Sequence, residues 1–146
     1  MNKIAVLGAG YWGKNLVRVF YQLGVLSVVC DSDAEKLEKI AKSYPGVKST
    51  TSYEDIVKDQ SINAVVIATP AESHYRLAKE FLLAGKDVFV EKPLAINFGD
   101  GLELAELAEQ NGRILMVGHL LEYHPAITKL KELVERGELG KIQYIY

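Results

Sequence analysis

The stretch Ile4-Ala5-Val6-Leu7-Gly8-Ala9-Gly10-Tyr11-Trp12-Gly13 decides the fold of this chain. Its first four residues form a short apolar run, which is the pattern of a strand that is buried on both faces. Three glycines with the spacing GxGxxG follow directly, and the amphipathic pattern of a helix continues from Lys14 to Leu23. A strand, a glycine turn and a helix in this order are typical of a loop that binds a dinucleotide pyrophosphate.

Each residue of the glycine loop has a predicted task. Gly8 permits the tight turn, Gly10 leaves room for a pyrophosphate, and Gly13 lets the helix pack closely on the strand. Tyr11 and Trp12 are expected at the crest of the loop and are candidates for cofactor contact. Trp12 either shields the phosphates or packs on a neighbouring segment. The alternative to all of this is a glycine-rich turn without a ligand.

Apolar runs and amphipathic stretches alternate along the rest of the chain. Further strands are predicted at Leu26–Cys30, Ala64–Ala68, Val88–Val90 and Ile114–Val117, with a weaker one near 47–51. Helices are predicted at Ala34–Ser43, Tyr75–Ala84 and Gly101–Gln110, with a short one that Ser52 and Asp55 open as an approximate capping box. This alternation predicts an α/β fold with a doubly wound parallel sheet, the Rossmann arrangement.

Asp31 closes the second predicted strand and follows Gly8 by 23 residues. At this spacing a carboxylate accepts hydrogen bonds from the adenosine ribose of a dinucleotide. Because it repels a 2′-phosphate, and because no Arg occurs in 32–35, the sequence favours NAD over NADP. Asp31 could instead cap the next helix, but Asp33 lies closer to the helix start and leaves Asp31 free for the ribose.

Two more segments follow predicted strands and therefore belong to the ligand edge of the sheet. In the first, Thr69 and Pro70 are expected to border the nicotinamide half of the cofactor, and His74 is expected to reach the same cleft. A lone His in a first helical turn is also compatible with a structural or solvated role. In the second, Pro93 holds Lys92 extended after Glu91. Lys92 is a candidate donor to a substrate oxygen, with a surface salt bridge as the alternative.

Composition excludes several classes of function. The chain has 146 residues, of which 49% are hydrophobic and 25% charged, as in an ordinary globular domain. Its 17 Lys and Arg against 19 Asp and Glu form no basic stripe, so nucleic-acid binding is not expected. No apolar run approaches the roughly 18 residues of a membrane span, and no signal peptide is evident, so a cytoplasmic protein is predicted. A single cysteine, Cys30, argues against a disulfide or a metal site.

The end of the chain departs from the strand and helix alternation. Residues 1–124 are interpreted as a dinucleotide-binding domain, and 125–146 as a crossover helix and the first strand of a missing C-terminal substrate domain. The helix is predicted at Pro125–Arg136 and the strand at Ile142–Tyr146. An unpaired strand and the apolar stripe of the helix predict self-association, most simply as a two-fold dimer.

In combination, these motifs resemble the Gfo/Idh/MocA oxidoreductase family. The resemblance covers essentially the whole chain and rests on the glycine loop, Asp31, the Ala68-Thr69-Pro70 to His74 segment, Glu91-Lys92-Pro93 and Gly118-His119. Glu91-Lys92-Pro93 is its most diagnostic part. The opening Gly-Tyr-Trp-Gly-Lys-Asn is most similar to sugar-nucleotide 3-dehydrogenases of that family.

The resemblance implies an NAD-binding domain and roles for individual residues. Lys92 would contact the substrate and the nicotinamide as the catalytic-site lysine, and Glu91 would be a cofactor-side residue. Thr69, Pro70 and His74 would be cofactor-cleft contacts, with His119 near the cleft. The family's catalytic Asp and His pair would lie beyond Tyr146, so the chain alone is expected to be inactive.

The expected function is hydride transfer between a nicotinamide and a carbinol of a sugar, a sugar nucleotide or a cyclitol. The parent protein would then be an NAD-dependent dehydrogenase, with NAD(H) and a sugar-type substrate as its small-molecule partners. Two alternatives remain open at this point. One is a non-enzymatic NAD(H)-binding regulatory domain, which would have no use for a lysine aimed at the nicotinamide. The other is an engineered Rossmann fragment.

Overall fold

A six-stranded parallel sheet organises the protein, whose computed structural model describes residues 3–144. The strands are β1 (Ile4–Leu7), β2 (Leu26–Cys30), β3 (Lys48–Thr50), β4 (Ala64–Ile67), β5 (Asp87–Val90) and β6 (Leu115–Val117). Their order across the sheet is β3-β2-β1-β4-β5-β6. This is the doubly wound Rossmann order, as the sequence predicts, and it puts the reversal of winding between β1 and β4.

Helices connect the strands and cover both faces of the sheet. They are α1 (Gly13–Gln22), α2 (Ala34–Ser43), α3 (Tyr53–Lys58), α4 (His74–Leu83), α5 (Phe98–Gln110) and α6 (Pro125–Glu135), with short 3₁₀ turns at Ala71–Ser73 and Leu120–Tyr123. No helix within residues 3–144 is long and apolar enough to cross a lipid bilayer.

The core has two halves because successive strand residues point to opposite faces of the sheet. Val6 of β1 packs toward α1 and α2, in a cluster that also contains Val17 and Leu37. Its neighbours Ala5 and Leu7 belong to the cluster on the other face, with the buried side chains of α4 and α5 (Leu77, Ala78, Phe81, Leu82, Leu104, Ala108). Burial on both faces explains why the central strands β1 and β4 are apolar throughout.

Element boundaries agree with the prediction to within one residue except at the start of α5, and the differences there and at the start of α3 have local causes. Helix α5 begins at Phe98, three residues before the predicted start at Gly101, because Asn97 occupies the N-cap position in extended geometry. The predicted capping box before α3 is wrong. The Ser52 hydroxyl donates to the Glu54 carboxylate at 2.8 Å, and the Asp55 carboxylate accepts from the Thr50 hydroxyl at 3.1 Å.

The carboxyl-terminal helix forms as predicted, but the strand after it does not. The amide of Ala126 donates to Nδ1 of His124 at 3.2 Å, so His124 caps α6, and none of the eleven residues of this helix is buried. Residues 142–144 are not in a strand, and no pairing of the described sheet includes them. The rest of the predicted strand, Ile145 and Tyr146, lies outside the described residues.

Candidate functional site

The loops that follow β1, β2, β4, β5 and β6 lie together because parallel strands place all their carboxyl ends at one edge of the sheet. Two cavities open along this edge. The first, which we call the Asp31 cavity, has a volume of about 540 Å³. The second, the Lys92 cavity, has a volume of about 490 Å³. Every strand-end segment that the sequence singled out contributes to one of these cavities or lies directly behind them.

The three glycines of the loop differ in the space around them. Gly8 has a φ of +88°, and a Cβ on it would lie 2.6 Å from the carbonyl oxygen of Ala68. A Cβ on Gly13 would lie 1.9 Å from the carbonyl oxygen of Gly8, so α1 packs against the loop at a distance that only glycine permits. A Cβ on Gly10 would meet no heavy atom within 4 Å. Gly10 therefore leaves open space.

The start of α1 fits the pyrophosphate of a dinucleotide. No side chain caps this helix at Trp12, and its first turn contains no acidic residue. The first amides of a helix lack partners within the helix, and its dipole makes them attractive to anions. In this loop the amides of Lys14 and Asn15 donate to the carbonyl oxygens of Gly10 and Trp12. An anion beside Gly10 would therefore meet the amides that precede Lys14 and the positive end of the helix dipole.

Asp31 is engaged with the backbone rather than free. Its side chain is 8% exposed and accepts hydrogen bonds from the Ala9 amide at 2.7 Å and the Asp33 amide at 2.9 Å. The ammonium of Lys36 lies 3.6 Å from the same carboxylate. Each carboxylate oxygen can accept more than one hydrogen bond, so contact with a ribose hydroxyl remains compatible with this geometry. Asp33 caps α2 as predicted, accepting from two amides of its first turn.

Thr69 and Pro70 line the Asp31 cavity together with Gly8 and Gly10. They are not among the residues that line the Lys92 cavity. Their predicted contact with the nicotinamide half of a cofactor remains a prediction. The Thr69 hydroxyl lies 2.6 Å from the Ser73 hydroxyl, which is within 2.7 Å of the Pro70 carbonyl oxygen. Sequence analysis missed Lys36, which also lines this cavity; its place in the first turn of α2, facing Asp31, is the signal that could have identified it.

The Lys92 cavity brings together residues that are far apart in the sequence. Trp12, Glu91, Lys92 and His119 line it, with the Leu120–Glu122 turn on one side. Lys92 is exposed, as a donor to a ligand must be. Tyr11, by contrast, is 83% exposed and stacks on Trp12 with a centroid distance of 6.4 Å. Tyr11 is not among the residues that line either cavity.

Glu91 is buried beside Lys92, and its carboxylate has an unused acceptor. Oε1 of Glu91 is buried and has no hydrogen-bond partner within residues 3–144. A Cβ on Gly118 would lie 3.1 Å from Oε2, so the glycine makes room for this carboxylate. A buried acceptor without a donor costs about 1 to 3 kcal/mol, and such groups occur where a ligand supplies the donor. The role of Gly118 was not predicted, although a glycine directly after a strand indicates close approach.

His74 lies behind the cleft, not in it. It is the first residue of α4, is 1% exposed, and lines neither cavity. One ring nitrogen is 2.9 Å from the carbonyl oxygen of Thr69, and the other is 2.7 Å from that of Pro93. A direct contact of His74 with a cofactor would require the ring to leave these two carbonyl groups.

No cluster of three or more His, Cys, Asp or Glu within residues 3–144 is arranged to hold a metal ion. Cys30 is buried beside the Asp31 cavity. Burial, together with the negative charges of Asp31, Glu54 and Asp55, raises the pKa of its thiol from 9.0 to about 11. A protonated, buried thiol is a poor nucleophile.

Comparison with known proteins agrees with this geometry. Residues 2–119 match the model of the Gfo/Idh/MocA family, described as an oxidoreductase family with an NAD-binding Rossmann fold. The chain is 34% identical over 142 residues to an inositol 2-dehydrogenase of Mycolicibacterium gilvum, covering 94% of this chain and 41% of that protein. It is 29% identical over 146 residues to an uncharacterized oxidoreductase of Streptococcus pneumoniae, covering 100% of this chain and 40% of the relative.

Solved structures of similar proteins have the same fold. A myo-inositol 2-dehydrogenase from Lactobacillus plantarum superposes with a TM-score of 0.88 at 28% identity, covering 97% of this chain and 43% of that one. GenD2 from gentamicin A biosynthesis, crystallised with NAD, superposes with a TM-score of 0.86 at 30% identity, covering 94% of this chain and 40% of that one. The chain thus spans about two fifths of the length of the curated relatives that it matches. Since the family model matches well over half of its residues, the chain belongs to the Gfo/Idh/MocA oxidoreductases and contains their NAD-binding Rossmann domain.

Proposed function

We propose that the chain is the cofactor-binding part of an NAD-dependent dehydrogenase that acts on a carbinol of a cyclitol, a sugar or a sugar nucleotide. The observation that carries the proposal is Lys92, an exposed ammonium in a cavity next to the glycine loop. The relatives named as inositol dehydrogenases support the substrate class. The sequence Gly10–Asn15 (GYWGKN) supports a sugar nucleotide as the substrate, whereas the inositol dehydrogenases among the relatives support a cyclitol.

In this proposal NAD extends along the sheet edge through both cavities. The adenosine ribose lies at Asp31, with Thr69 and Pro70 lining the same cavity. The pyrophosphate lies over Gly10 at the start of α1. The nicotinamide enters the Lys92 cavity, where Oε1 of Glu91 is available to accept a hydrogen bond from an amide. Trp12, which lines that cavity and is 42% exposed, covers the passage between the two.

NAD supplies the hydride chemistry at C4 of its nicotinamide ring when it is bound. Lys92 has the task of donating to the substrate oxygen, and it stabilises the negative charge that develops there as the hydroxyl proton leaves. Trp12 and the apolar side chains of the Leu120–Glu122 turn keep water from the reacting atoms. The base that takes the hydroxyl proton is proposed to lie in a further domain.

The test is an assay of the complete gene product with NAD and a panel of inositols, hexoses and UDP-sugars, in which NADH formation is followed by absorbance. Replacing Lys92 by Met removes the ammonium and keeps much of the side-chain volume, so we expect kcat to fall about a hundredfold or more. Lys39→Met, an exposed change on α2 away from both cavities, is the matched control. NADH binding without any turnover on the panel would favour the regulatory alternative.

The domain boundary and the surroundings of the protein belong to the same proposal. Residues 1–124 form the NAD-binding domain, and 125–146 lead toward the substrate domain. The exposed α6 and the end of the family match at residue 119 support this boundary. We further propose that the protein acts in the cytoplasm as a homo-oligomer, and the exposed apolar side chains of α6 support the second point.

A further inference from the structure

The ring of His74 is held between two backbone carbonyl groups. The contacts are 2.9 Å to the oxygen of Thr69 and 2.7 Å to the oxygen of Pro93, and the residue is 1% exposed. A carbonyl oxygen only accepts hydrogen bonds, so the ring donates from whichever nitrogen carries a proton. The two contacts place both nitrogens of the ring within hydrogen-bond distance of a backbone acceptor.

The two carbonyl groups belong to segments that lead to different cavities. Thr69 lines the Asp31 cavity, whereas Pro93 follows Lys92, which lines the Lys92 cavity. The two segments follow the neighbouring strands β4 and β5, whose backbone pairing ends with the bond from the Glu91 amide to the Ile67 carbonyl oxygen at 2.9 Å, before Thr69 or Lys92 is reached. Beyond the strands, the His74 ring is therefore a direct link between these two segments.

We propose that His74 is a positioning residue that fixes the Thr69 segment and the Lys92 segment relative to each other, so that one dinucleotide can occupy both cavities. The proposal rests on the NAD site described above and adds a residue that makes no contact with the cofactor. Affinity for a ligand that spans two cavities depends on their relative placement, because misplacement must be corrected during binding. A ligand that fills only the Asp31 cavity has no such dependence.

The test compares NADH, which requires both cavities, with ADP, which requires only the adenosine and phosphate side. In His74→Phe the ring volume remains while both polar contacts disappear. We expect NADH binding by the 146-residue chain to weaken about tenfold or more and ADP binding to weaken less than about threefold. The control is Leu82→Val, a similarly buried position of α4 that lines neither cavity. It should change both affinities less than about twofold.

Calorimetric titration measures both affinities, and the thermal midpoint of each variant shows whether it folds. Equal losses for NADH and ADP in His74→Phe would reduce His74 to a structural residue and overturn the proposal, as would unchanged NADH binding. If the unchanged chain binds ADP but not NADH, or neither, the proposed NAD site itself fails, which is a different result from equal losses.

Two further measurements keep the proposal testable if His74→Phe does not fold. His74→Asn retains an amide donor for one of the two carbonyls, and we expect it to weaken NADH binding by less than about tenfold and to leave ADP binding unchanged. Unchanged NADH binding in a folded His74→Asn chain, or an equal loss for ADP, would overturn the proposal. Nitrogen-15 NMR of the imidazole should show a hydrogen-bonded N–H on the His74 ring, and a ring without one would contradict the bridge.

Discussion

A methyl group added at Gly13 would lie 1.9 Å from the carbonyl oxygen of Gly8, whereas one added at Gly10 would meet no heavy atom within 4 Å. The two glycines of one motif can therefore be separated by experiment. Gly13→Ala forces α1 away from the loop and should lower the free energy of unfolding by about 1 to 3 kcal/mol or more. Gly10→Ala should change it by less than about 0.5 kcal/mol.

Cofactor affinity should separate Gly10→Ala from Gly13→Ala as well. Because Gly10 leaves the space in which a pyrophosphate binds, Gly10→Ala should weaken NAD binding about tenfold or more at unchanged stability. Urea unfolding and calorimetric titration of both variants measure the two quantities. Normal NAD affinity in a folded Gly10→Ala chain would show that the pyrophosphate does not approach this part of the loop.

Asp31 should determine the choice between the two nicotinamide cofactors. We expect the chain to bind NAD(H) more tightly than NADP(H), since the carboxylate repels a 2′-phosphate. Asp31→Ser should reduce the difference in binding free energy between NAD(H) and NADP(H) by about 1 to 3 kcal/mol. It also removes the acceptor for the Ala9 amide, so its stability must be measured in parallel. Glu35→Gln is the control, because it removes a nearby charge at a residue that does not line the Asp31 cavity. Its preference for NAD(H) over NADP(H) should equal that of the unchanged chain.

The thiol of Cys30 should make stability depend on pH in the alkaline range. Its pKa is about 11 in the folded protein against 9.0 for an unperturbed thiol, so the unfolded chain loses this proton first. The contribution is therefore fully present below about pH 9 and is lost as the pH rises from 9 to 11. Urea unfolding of the unchanged chain and of Cys30→Ala across this range isolates the thiol, since all other titrations are shared. If the free energy of unfolding changed with pH equally in the two proteins, the raised pKa of the Cys30 thiol would be contradicted.

Sequence reasoning located the candidate residues but not all of their contacts. The glycine loop, Asp31 and Lys92 could be predicted because strand ends and spacing fix their positions. The burial of His74 could not, because it depends on the Pro93 carbonyl, which is 19 residues away in the sequence. The placement of Thr69 and Pro70 in the Asp31 cavity likewise depends on how β4 lies beside β1.

At the scale of elements, periodicity predicted every helix except the short α3, which was predicted from a capping pattern. Asp33 was predicted as the cap of α2 because it lies next to the helix start, and its carboxylate accepts from two amides of the first turn. The box at Ser52 failed because Asp55 is shorter than the Glu or Gln that this motif uses. The strand at 142–146 was predicted from its alternating pattern alone. Its described part forms no strand because pairing requires a neighbour that a local pattern does not supply.

Helix α6 should mediate self-association. Ile127, Leu130 and Val134 are 40%, 48% and 40% exposed, and they lie on one face because their spacing is 3 and 4 residues. We expect dimers in light scattering across a dilution series, and monomers at the same concentrations for Leu130→Glu. Lys131→Gln is the control on the same helix.

Light scattering also distinguishes the contribution of α6 to self-association from that of the residues after it. A chain ending at Gly137 retains α6 and should still associate if the apolar face carries the contact. Loss of association on this truncation would assign the contact to the terminal segment. An unchanged chain that is strictly monomeric at high micromolar concentration would contradict the prediction altogether.

At the scale of the whole molecule, the chain should bind NADH without turning over a substrate. A lysine and a cofactor do not supply substrate positioning or a general base. We expect no NADH formation from NAD and inositols or sugars with the 146-residue chain, while calorimetry shows that the cofactor site is formed. Robust turnover would place the base within these residues. His119, which lines the Lys92 cavity, would then be the first residue to replace.

The sheet as a whole was predictable because its central strands β1 and β4 are apolar throughout and because parallel strands are joined by right-handed crossovers. The order β3-β2-β1-β4-β5-β6 follows from these rules once the glycine loop marks β1 as the first strand of a dinucleotide-binding unit. The two-sided core follows as well, since a parallel sheet requires helices on both faces.

The central position of β1 has a consequence for synthesis on the ribosome. Leu7 pairs with Cys30 on one side and with Ile67 on the other. The strand therefore gains its first neighbour early and waits for its second while 37 more residues are added, which takes about 2 to 7 s at translation rates of about 5 to 20 residues per second. During that interval its open edge lacks the neighbour that β4 later supplies, and an unpaired strand edge can pair with another chain.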